Sequence, residues 1–299
     1  MPSLVTSLAE RFPCRSQEPL ASWTTLRIGG PAECFFEPAK PEHLVDLLNA
    51  LAAENIPWRL LGGGANVLAP DGGVNGAVIH TGQMRRSFRE ENKLRLWPGV
   101  TLPSLVRGAA ELGLSGVESL IGVPGQIGGA LAMNAGGADW GLWDEVEEVT
   151  LWWPDGRLEA WTPEQVRPGY RDGNLRGAVV VEVLLSLKPE KEAVIRQRME
   201  SLLKKKNASQ PVTLSSAGCA FKNPPQDSAG RLLDAAGMKG QREGAALVSE
   251  RHANFIVNAG GARAAQVRTL MQRMHQAVAD RFGIDLQAEL VIWPEPEPA

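Results

Sequence analysis

Between Leu120 and Gly137 the chain reads Leu-Ile-Gly-Val-Pro-Gly-Gln-Ile-Gly-Gly-Ala-Leu-Ala-Met-Asn-Ala-Gly-Gly, placing Gly122, Gly125, Gly128, Gly129, Gly136 and Gly137 in one apolar stretch. Glycine accepts positive φ and lets backbone approach a partner closely, so this density points to amides turned toward an anion. A phosphate-bearing cofactor is the first candidate, and a run of tight turns in a β-rich domain is the alternative. A second cluster, Gly62-Gly63-Gly64-Ala65-Asn66, follows Trp58 to Leu61, which reads as a strand after Pro57. A strand feeding straight into glycines is the geometry in which amides hold a pyrophosphate. It is not the G-x-G-x-x-G of a dinucleotide Rossmann unit, no Walker lysine follows, and Val67 to Pro70 does not start a helix. A plain loop between strands stays open as a reading.

Two further segments set a reactive side chain among small residues. Arg27 stands beside Gly29-Gly30 in Thr24-Thr25-Leu26-Arg27-Ile28-Gly29-Gly30-Pro31-Ala32, and Cys219 lies in Ser215-Ser216-Ala217-Gly218-Cys219-Ala220-Phe221-Lys222-Asn223-Pro224. Taken by itself, Cys219 reads more readily as a small buried hydrophobe than as a nucleophile or acid. Cys14, Cys34 and Cys219 are odd in number and far apart, which suits neither a disulfide framework nor zinc-ligand spacing, so no metal is expected.

The elements that must position these residues alternate between helix and strand. Leu44, Leu47, Leu48 and Leu51 recur at helical spacing after Pro41, and a second helix is expected over Pro103 to Leu112. Strands are expected at Val78 to His80, Leu94 to Trp97 and Ala178 to Leu187. A charged segment between Pro189 and Lys206 sets Ile195, Met199 and Leu202 on one face of a connecting helix. Val267, Leu270, Met271, Met274 and Val278 line a last helix with Gly283 just past its end. From Ile284 to Trp293 apolar residues alternate with Asp285, Gln287 and Glu289, which predicts a strand with Glu289 pointing away from the core, toward solvent or a site.

The whole chain has 299 residues, enough for two or three domains, and a net charge of −3 that leaves no electrostatic footprint for nucleic acid. No stretch approaches the ~18 apolar residues of a membrane span, and no secretory signal is visible, so a cytoplasmic protein is expected.

The ordered series of segments closely resembles the UDP-N-acetylenolpyruvoylglucosamine reductase family. It comprises the Thr25 to Ala32 and Gly62 to Asn66 segments, Gly122-Val123-Pro124-Gly125 through Gly128-Gly129-Ala130, and Asn134-Ala135-Gly136. Tyr170-Arg171-Asp172, Gly218 to Pro224, Ser249-Glu250-Arg251-His252-Ala253-Asn254-Phe255-Ile256-Val257-Asn258 and the Glu289 segment complete it. The resemblance implies an α+β chain: a two-lobed FAD-binding fold of the p-cresol methylhydroxylase and vanillyl alcohol oxidase type plus a C-terminal α/β substrate-binding domain. Boundaries are expected at 1–70 and 71–188 for the two lobes, 189–206 for the connecting helix and 207–299 for the substrate domain.

It further implies tightly bound FAD, NADPH as hydride donor, and reduction of an enolpyruvyl UDP-sugar in peptidoglycan synthesis. A monomer without nucleic-acid or membrane partners is expected. By the resemblance the catalytic residues are Arg171 on the substrate carboxylate, Cys219 as proton donor to the α-carbon, and Glu289 sharing a proton with the developing acid. Cofactor contacts fall to Arg27, Ile28, Gly62, Gly63, Gly64, Ala65, Asn66, Val67, Ile121, Gly122, Pro124, Gly125, Gly128, Gly129, Ala130, Asn134, Ala135 and Gly136. Substrate contacts fall to Tyr170, Lys222 and Asn223, while Asn254 is a further candidate and His252 reads as a core or turn residue.

The chain departs from the family pattern at two positions. Cys219 stands where the family usually has serine, and Gly173 where it often has serine two residues after the arginine. The short segment between Arg171 and Ala178, with Tyr170 the only tyrosine, is similar to the family's shorter class and implies a more open site. Two other functions would use the same glycines: another FAD-dependent oxidase of this superfold, and a non-catalytic nucleotide-binding module with no need for Arg171, Cys219 and Glu289. A nicotinamide-only dehydrogenase would need the Rossmann unit that is missing.

Overall fold

The computed structural model describes residues 8–137 and 139–296. Backbone contacts divide the chain into two units. The first runs through Ser16 and takes in Cys34–Gly63 and Gly76–Lys205; the second takes in Gln17–Glu33, Gly64–Asn75 and the chain from Lys206 onward.

The first unit is organised around Val179–Ser186, the middle strand of a five-stranded antiparallel sheet. From edge to edge the order is Leu158–Trp161, Val146–Trp152, Val179–Ser186, Lys93–Leu96, Ser87–Glu90. The apolar run Val-Val-Val-Glu-Val-Leu-Leu suits a strand covered on both faces. Its pairing with Val146–Trp152 slips between Val180 and Glu182, so one extra residue is inserted and the faces exchange. Val179 and Val181 therefore enter one core with Leu44, Leu47, Leu48, Ile79 and Trp152, while Val180, Val183 and Leu185 enter another with Leu96, Leu105, Val106, Leu131 and Trp143. Each such large side chain contributes roughly 1.5–3 kcal/mol on burial. Glu182, the polar member of the run, is met by Arg95 Nη1 at 2.9 Å.

The periodic leucines form the helix Pro41–Ala53, which leads into Trp58–Leu61; that strand runs parallel to the Ala77 to His80 part of Val74–His80. The helix Leu102–Glu111 starts where expected, capped by Thr101, whose hydroxyl accepts from Ser104 N. The connecting helix spans Glu192–Ser209, with Ile195 and Met199 buried and Leu202 only partly so.

In the second unit the strands Ser216–Cys219, Phe255–Asn258, Ala246–Val248 and Arg242–Glu243 form an antiparallel sheet in that order. Its core joins Leu232 and Leu233 of the helix Ala229–Ala235 to Val267, Leu270, Met271, Met274 and Val278 of Ala264–Phe282, with Leu26, Ile28 and Leu68. The long helix ends at Gly283 in the left-handed region, as its sequence predicts. Its first turn is capped by Asp71, which accepts from Ala264 N at 2.8 Å and Ala265 N at 3.1 Å.

The expected strand from Ile284 to Trp293 is corrected: only Val291–Ile292 is regular, pairing in parallel with Val67–Leu68. Upstream, the chain is pinned by single bonds to a distant segment, Lys222 N to Gln287 O at 2.8 Å and Glu289 N to Ala220 O at 2.9 Å, with no continuous ladder. The alternation lapses accordingly: Leu286 and Leu290 are buried, but Ala288 is exposed and Glu289 is half-buried, not turned fully outward.

Candidate active site

In the first unit the fold brings the two glycine clusters into contact. A Cβ on Gly63 would lie 2.7 Å from Gly125 Cα, and one on Gly62 would meet Gln126 Oε1 at 3.6 Å and Gly129 N at 3.9 Å. Only glycine permits this approach at position 63. Among the described residues, no protein acceptor takes the backbone N–H of Gly62, Gly63, Gly122 or Gly125. Unpaired, partly exposed amides on two touching loops are a donor set that suits a pyrophosphate, so the residues present fit the anionic part of FAD.

Other members of the expected set have different physical roles. Gly128 N donates to Pro98 O at 3.0 Å, Ala130 N to Gln126 O at 2.9 Å and Ala135 N to Ala130 O at 2.8 Å, so these amides hold the short helix Ile127–Ala132 in place. Asn134 spends both ends of its amide, donating to Gly169 O at 2.9 Å and accepting from Trp143 N at 3.3 Å. Ile121, Pro124 and Gly136 border the same loops, and Gly136 leads to the arginine.

Arg171 sits in the left-handed region, φ 52°, at a tight turn closed by Gly169 N to Asp172 O at 2.8 Å. Its Nη2 donates to Gly136 O at 2.8 Å and its guanidinium lies 5.2 Å from the centre of the Tyr170 ring, a cation–π arrangement. Gly173 leaves no room for a side chain as its neighbours stand. Its N–H donates to Ala132 O at 2.9 Å, and a Cβ would stand 2.1 Å from Leu131 O. The turn bearing Arg171 is thus seated directly on the end of the glycine-rich helix.

The second unit assembles the remaining candidates. Gly64, with φ 62°, packs so tightly on the backbone at Trp23 that a Cβ would lie 2.0 Å from Trp23 O. The turn carrying Arg27, itself at φ 55°, is held by Thr24, whose hydroxyl donates to Ile28 O and accepts from Ile28 N, and by Asn258 Nδ2, which donates to Leu26 O at 3.0 Å. Ile28 is buried in the core. Ala65 and Asn66 lead into the strand at Val67, and Asn66 clasps the Glu289 segment: its Nδ2 donates to Glu289 O at 2.9 Å and its carbonyl accepts from Val291 N at 3.1 Å.

Cys219 ends a strand that bulges at Gly218, where φ is 76° and the register with Phe255–Asn258 slips. The next residue, Ala220, accepts from Glu289 N, so the thiol and the carboxylate stand on adjoining segments, both half-buried. Asn254, 1% exposed, fixes this arrangement: Oδ1 accepts from Phe221 N at 3.0 Å and Nδ2 donates to Phe221 O at 2.8 Å. His252 accepts from Asn254 N at Nδ1, packs on Phe255 and is held below its ordinary pKa by burial, which is the behaviour of a turn residue. Asn223 Oδ1 accepts from Ala229 N at 3.0 Å, and Lys222 follows Phe221 on the same segment.

Comparison with known proteins decides the family. Residues 210–293 match the family described as UDP-N-acetylenolpyruvoylglucosamine reductase, C-terminal domain, and residues 32–161 match the FAD binding domain family. UDP-N-acetylenolpyruvoylglucosamine reductase 2 of Symbiobacterium thermophilum is 42% identical over 93% of this chain and 92% of its own length. The chain belongs to the UDP-N-acetylenolpyruvoylglucosamine reductase family. The Moorella thermoacetica reductase is 41% identical over 94% of this chain and 93% of its own. The crystal structure of the Thermus caldophilus reductase superposes with a TM-score of 0.81 at 40% identity, covering 94% of this chain and all of that one. The α+β architecture, an FAD-binding fold with this family's C-terminal domain, is therefore shared with these reductases.

Three groups near these residues lay outside the expected set. Asp71 is indistinguishable by sequence from a solvated loop residue, and Asn258, although it closes one of the matched segments, carries no local sign of its bond to the Arg27 turn. Gln126 carries a visible signal, as the only polar side chain between Leu120 and Met133, and it is buried with Thr81 against it. Among the described residues no helix is long and apolar enough to cross a membrane, and no group of three His, Cys, Asp or Glu side chains is placed to hold a metal.

Proposed function

We propose that this chain is an FAD-dependent reductase that uses NADPH to saturate the enolpyruvyl group of UDP-N-acetylglucosamine enolpyruvate, giving UDP-N-acetylmuramate for peptidoglycan synthesis. The observation that carries this reading is a family likeness of 42% identity over 93% of the chain. When bound, FAD supplies hydride transfer from the nicotinamide to the enolpyruvyl β-carbon. Lobes at 1–70 and 71–188 would share the cofactor, with 207–299 as the substrate domain beyond the connecting helix.

The rest falls to side chains. Arg171 grips the substrate carboxylate with its planar fork, and its bond to Gly136 and its stacking on Tyr170 restrict the guanidinium before substrate arrives. Negative charge then grows on that carboxylate, and Glu289 stabilises the acid form through a shared proton. Cys219 delivers a proton to the α-carbon. A thiol is a far stronger acid than the serine hydroxyl it replaces, so the transfer is downhill to a carbanion, and the thiol loses the role once it ionises. Lys222 offers a cation to the substrate phosphates; Asn223, its oxygen engaged at Ala229, offers its amide nitrogen. We place the protein in the cytoplasm as a monomer that binds neither nucleic acid nor membrane.

Stopped-flow spectroscopy tests the whole reading. The protein should be yellow, its flavin band should bleach with NADPH under anaerobic conditions, and the enolpyruvyl sugar nucleotide should restore it. Recovery with oxygen but not with that substrate would favour the oxidase, and a colourless protein would favour the non-catalytic module.

A further inference from the structure

Gln126 is 5% exposed and Thr81 is 2% exposed. Thr81 opens the short turn that follows the strand Val74–His80, and its hydroxyl donates to Gln126 Oε1 at 2.6 Å. In this arrangement Oε1 is the acceptor, and Nε2 turns both hydrogens away from Thr81. Among the described residues no protein acceptor receives them. Nε2 is also not sealed in, because the one fully enclosed side-chain nitrogen or oxygen without a partner among those residues is Trp153 Nε1.

The amide group lies at the seam of the two glycine loops. A Cβ on Gly62 would meet Gln126 Oε1 at 3.6 Å and Gln126 Cβ at 4.0 Å, and one on Gly63 would meet Gln126 N at 3.4 Å. A largely buried carboxamide whose donor end stays open beside unpaired backbone amides is placed to give its hydrogens to an acceptor on a bound ligand.

We infer that Gln126 is a cofactor-binding residue, its Nε2 donating to a pyrophosphate oxygen of FAD, and that Thr81 is the positioning residue that holds the amide in that orientation. This rests on the reading of the glycine loops as the FAD site. It adds a side-chain donor to a cradle otherwise made of backbone, and it gives the Thr81 hydroxyl a role at the cofactor although it faces Gln126.

The test titrates FAD into apoprotein by flavin fluorescence for wild type, Gln126→Leu, Gln126→Glu, Thr81→Val and Thr81→Ser, alongside urea unfolding of each apoprotein. Loss of a hydrogen bond to an anion should weaken FAD binding by roughly ten- to hundredfold in Gln126→Leu. Gln126→Glu should bind more weakly still, because a carboxylate would face the pyrophosphate. Thr81→Val should lose several-fold and Thr81→Ser should recover wild-type affinity. A merely structural role would lower the apoprotein unfolding midpoints and leave FAD affinity unchanged, which would overturn the inference. Gln126→Glu binding as well as Gln126→Leu would overturn the pyrophosphate as acceptor, and Thr81→Ser binding as weakly as Thr81→Val would overturn the positioning role. A wild-type chain that takes up no FAD would overturn the cofactor reading itself and this inference with it.

Discussion

The clamp made by Asn254 gives the sharpest test of how the thiol and carboxylate are held. Its carboxamide makes two hydrogen bonds to the backbone of Phe221, one at each end, from a position 1% exposed to solvent. Replacing it by leucine, which keeps the branched shape, strands both the N–H and the C=O of Phe221. Each buried group left unpaired costs about 1–3 kcal/mol, so Asn254→Leu should destabilise the fold by about 2–6 kcal/mol. That is a large share of the ~5–15 kcal/mol available to a typical domain. Asn254→Asp keeps the acceptor for Phe221 N but sets a carboxylate oxygen against Phe221 O. It should be at least as damaging at neutral pH, and partly rescued in acid, where the protonated acid donates again. Urea unfolding followed by tryptophan fluorescence reads the stability. The rate at which a disulfide reagent reaches Cys219 reads the local loosening, since Asn254 O also accepts from Ala220 N at 2.7 Å. A change below about 0.5 kcal/mol in Asn254→Leu, within the range of ordinary surface substitutions, would refute the reasoning.

Other outcomes follow from the same geometry. Gly63→Ala should force the two glycine loops apart and weaken FAD binding at least tenfold, with a cost of about 1–3 kcal/mol in unfolding free energy; unchanged FAD affinity would show that the close approach is dispensable. Gly173→Ser should destabilise this chain because its Cβ would stand 2.1 Å from Leu131 O, and calorimetry should record a lower melting temperature. Burial holds His80 below its ordinary pKa of 6.5 against the opposing pull of Glu37, so the folded state keeps it neutral. As pH falls through that ordinary value the unfolded chain takes the proton first, and stability drops. His80→Gln should flatten the decline in urea midpoint as the pH falls below 6.5. Alkylation of Cys219 should abolish turnover with protection by substrate, and Cys219→Ala should cost about 10²–10⁴ in kcat; full turnover by the alkylated protein would exclude it as proton donor.

Much of this was legible where a local rule acts without help. The helix Ala264–Phe282 announces itself by its apolar period and by Gly283, and the glycine loops by their composition. The helix Ile127–Ala132 was hidden because glycine is a poor helix former, and this short helix is secured by tertiary acceptors, Pro98 O and Val100 O, that no local pattern encodes. The Glu289 segment departs from the regular strand that its sequence predicts for a related reason. Its alternation is genuine in the sequence, but its bonds reach separately to Ala220 and Asn66, and sequence spacing carries no information about partners so far away. The same holds for Gly173, whose lack of a side chain makes sense only when the carbonyl of Leu131 is seen beneath it.

The slipped pairing at Val181 has a mechanical consequence. Because a single strand lends side chains to two separate apolar clusters, neither cluster can melt while the other stays intact without tearing that strand from both neighbours. Heat or urea should therefore dismantle the body around it in one cooperative event, and removing Val181 should swing the downstream side chains through the sheet and scramble both clusters together.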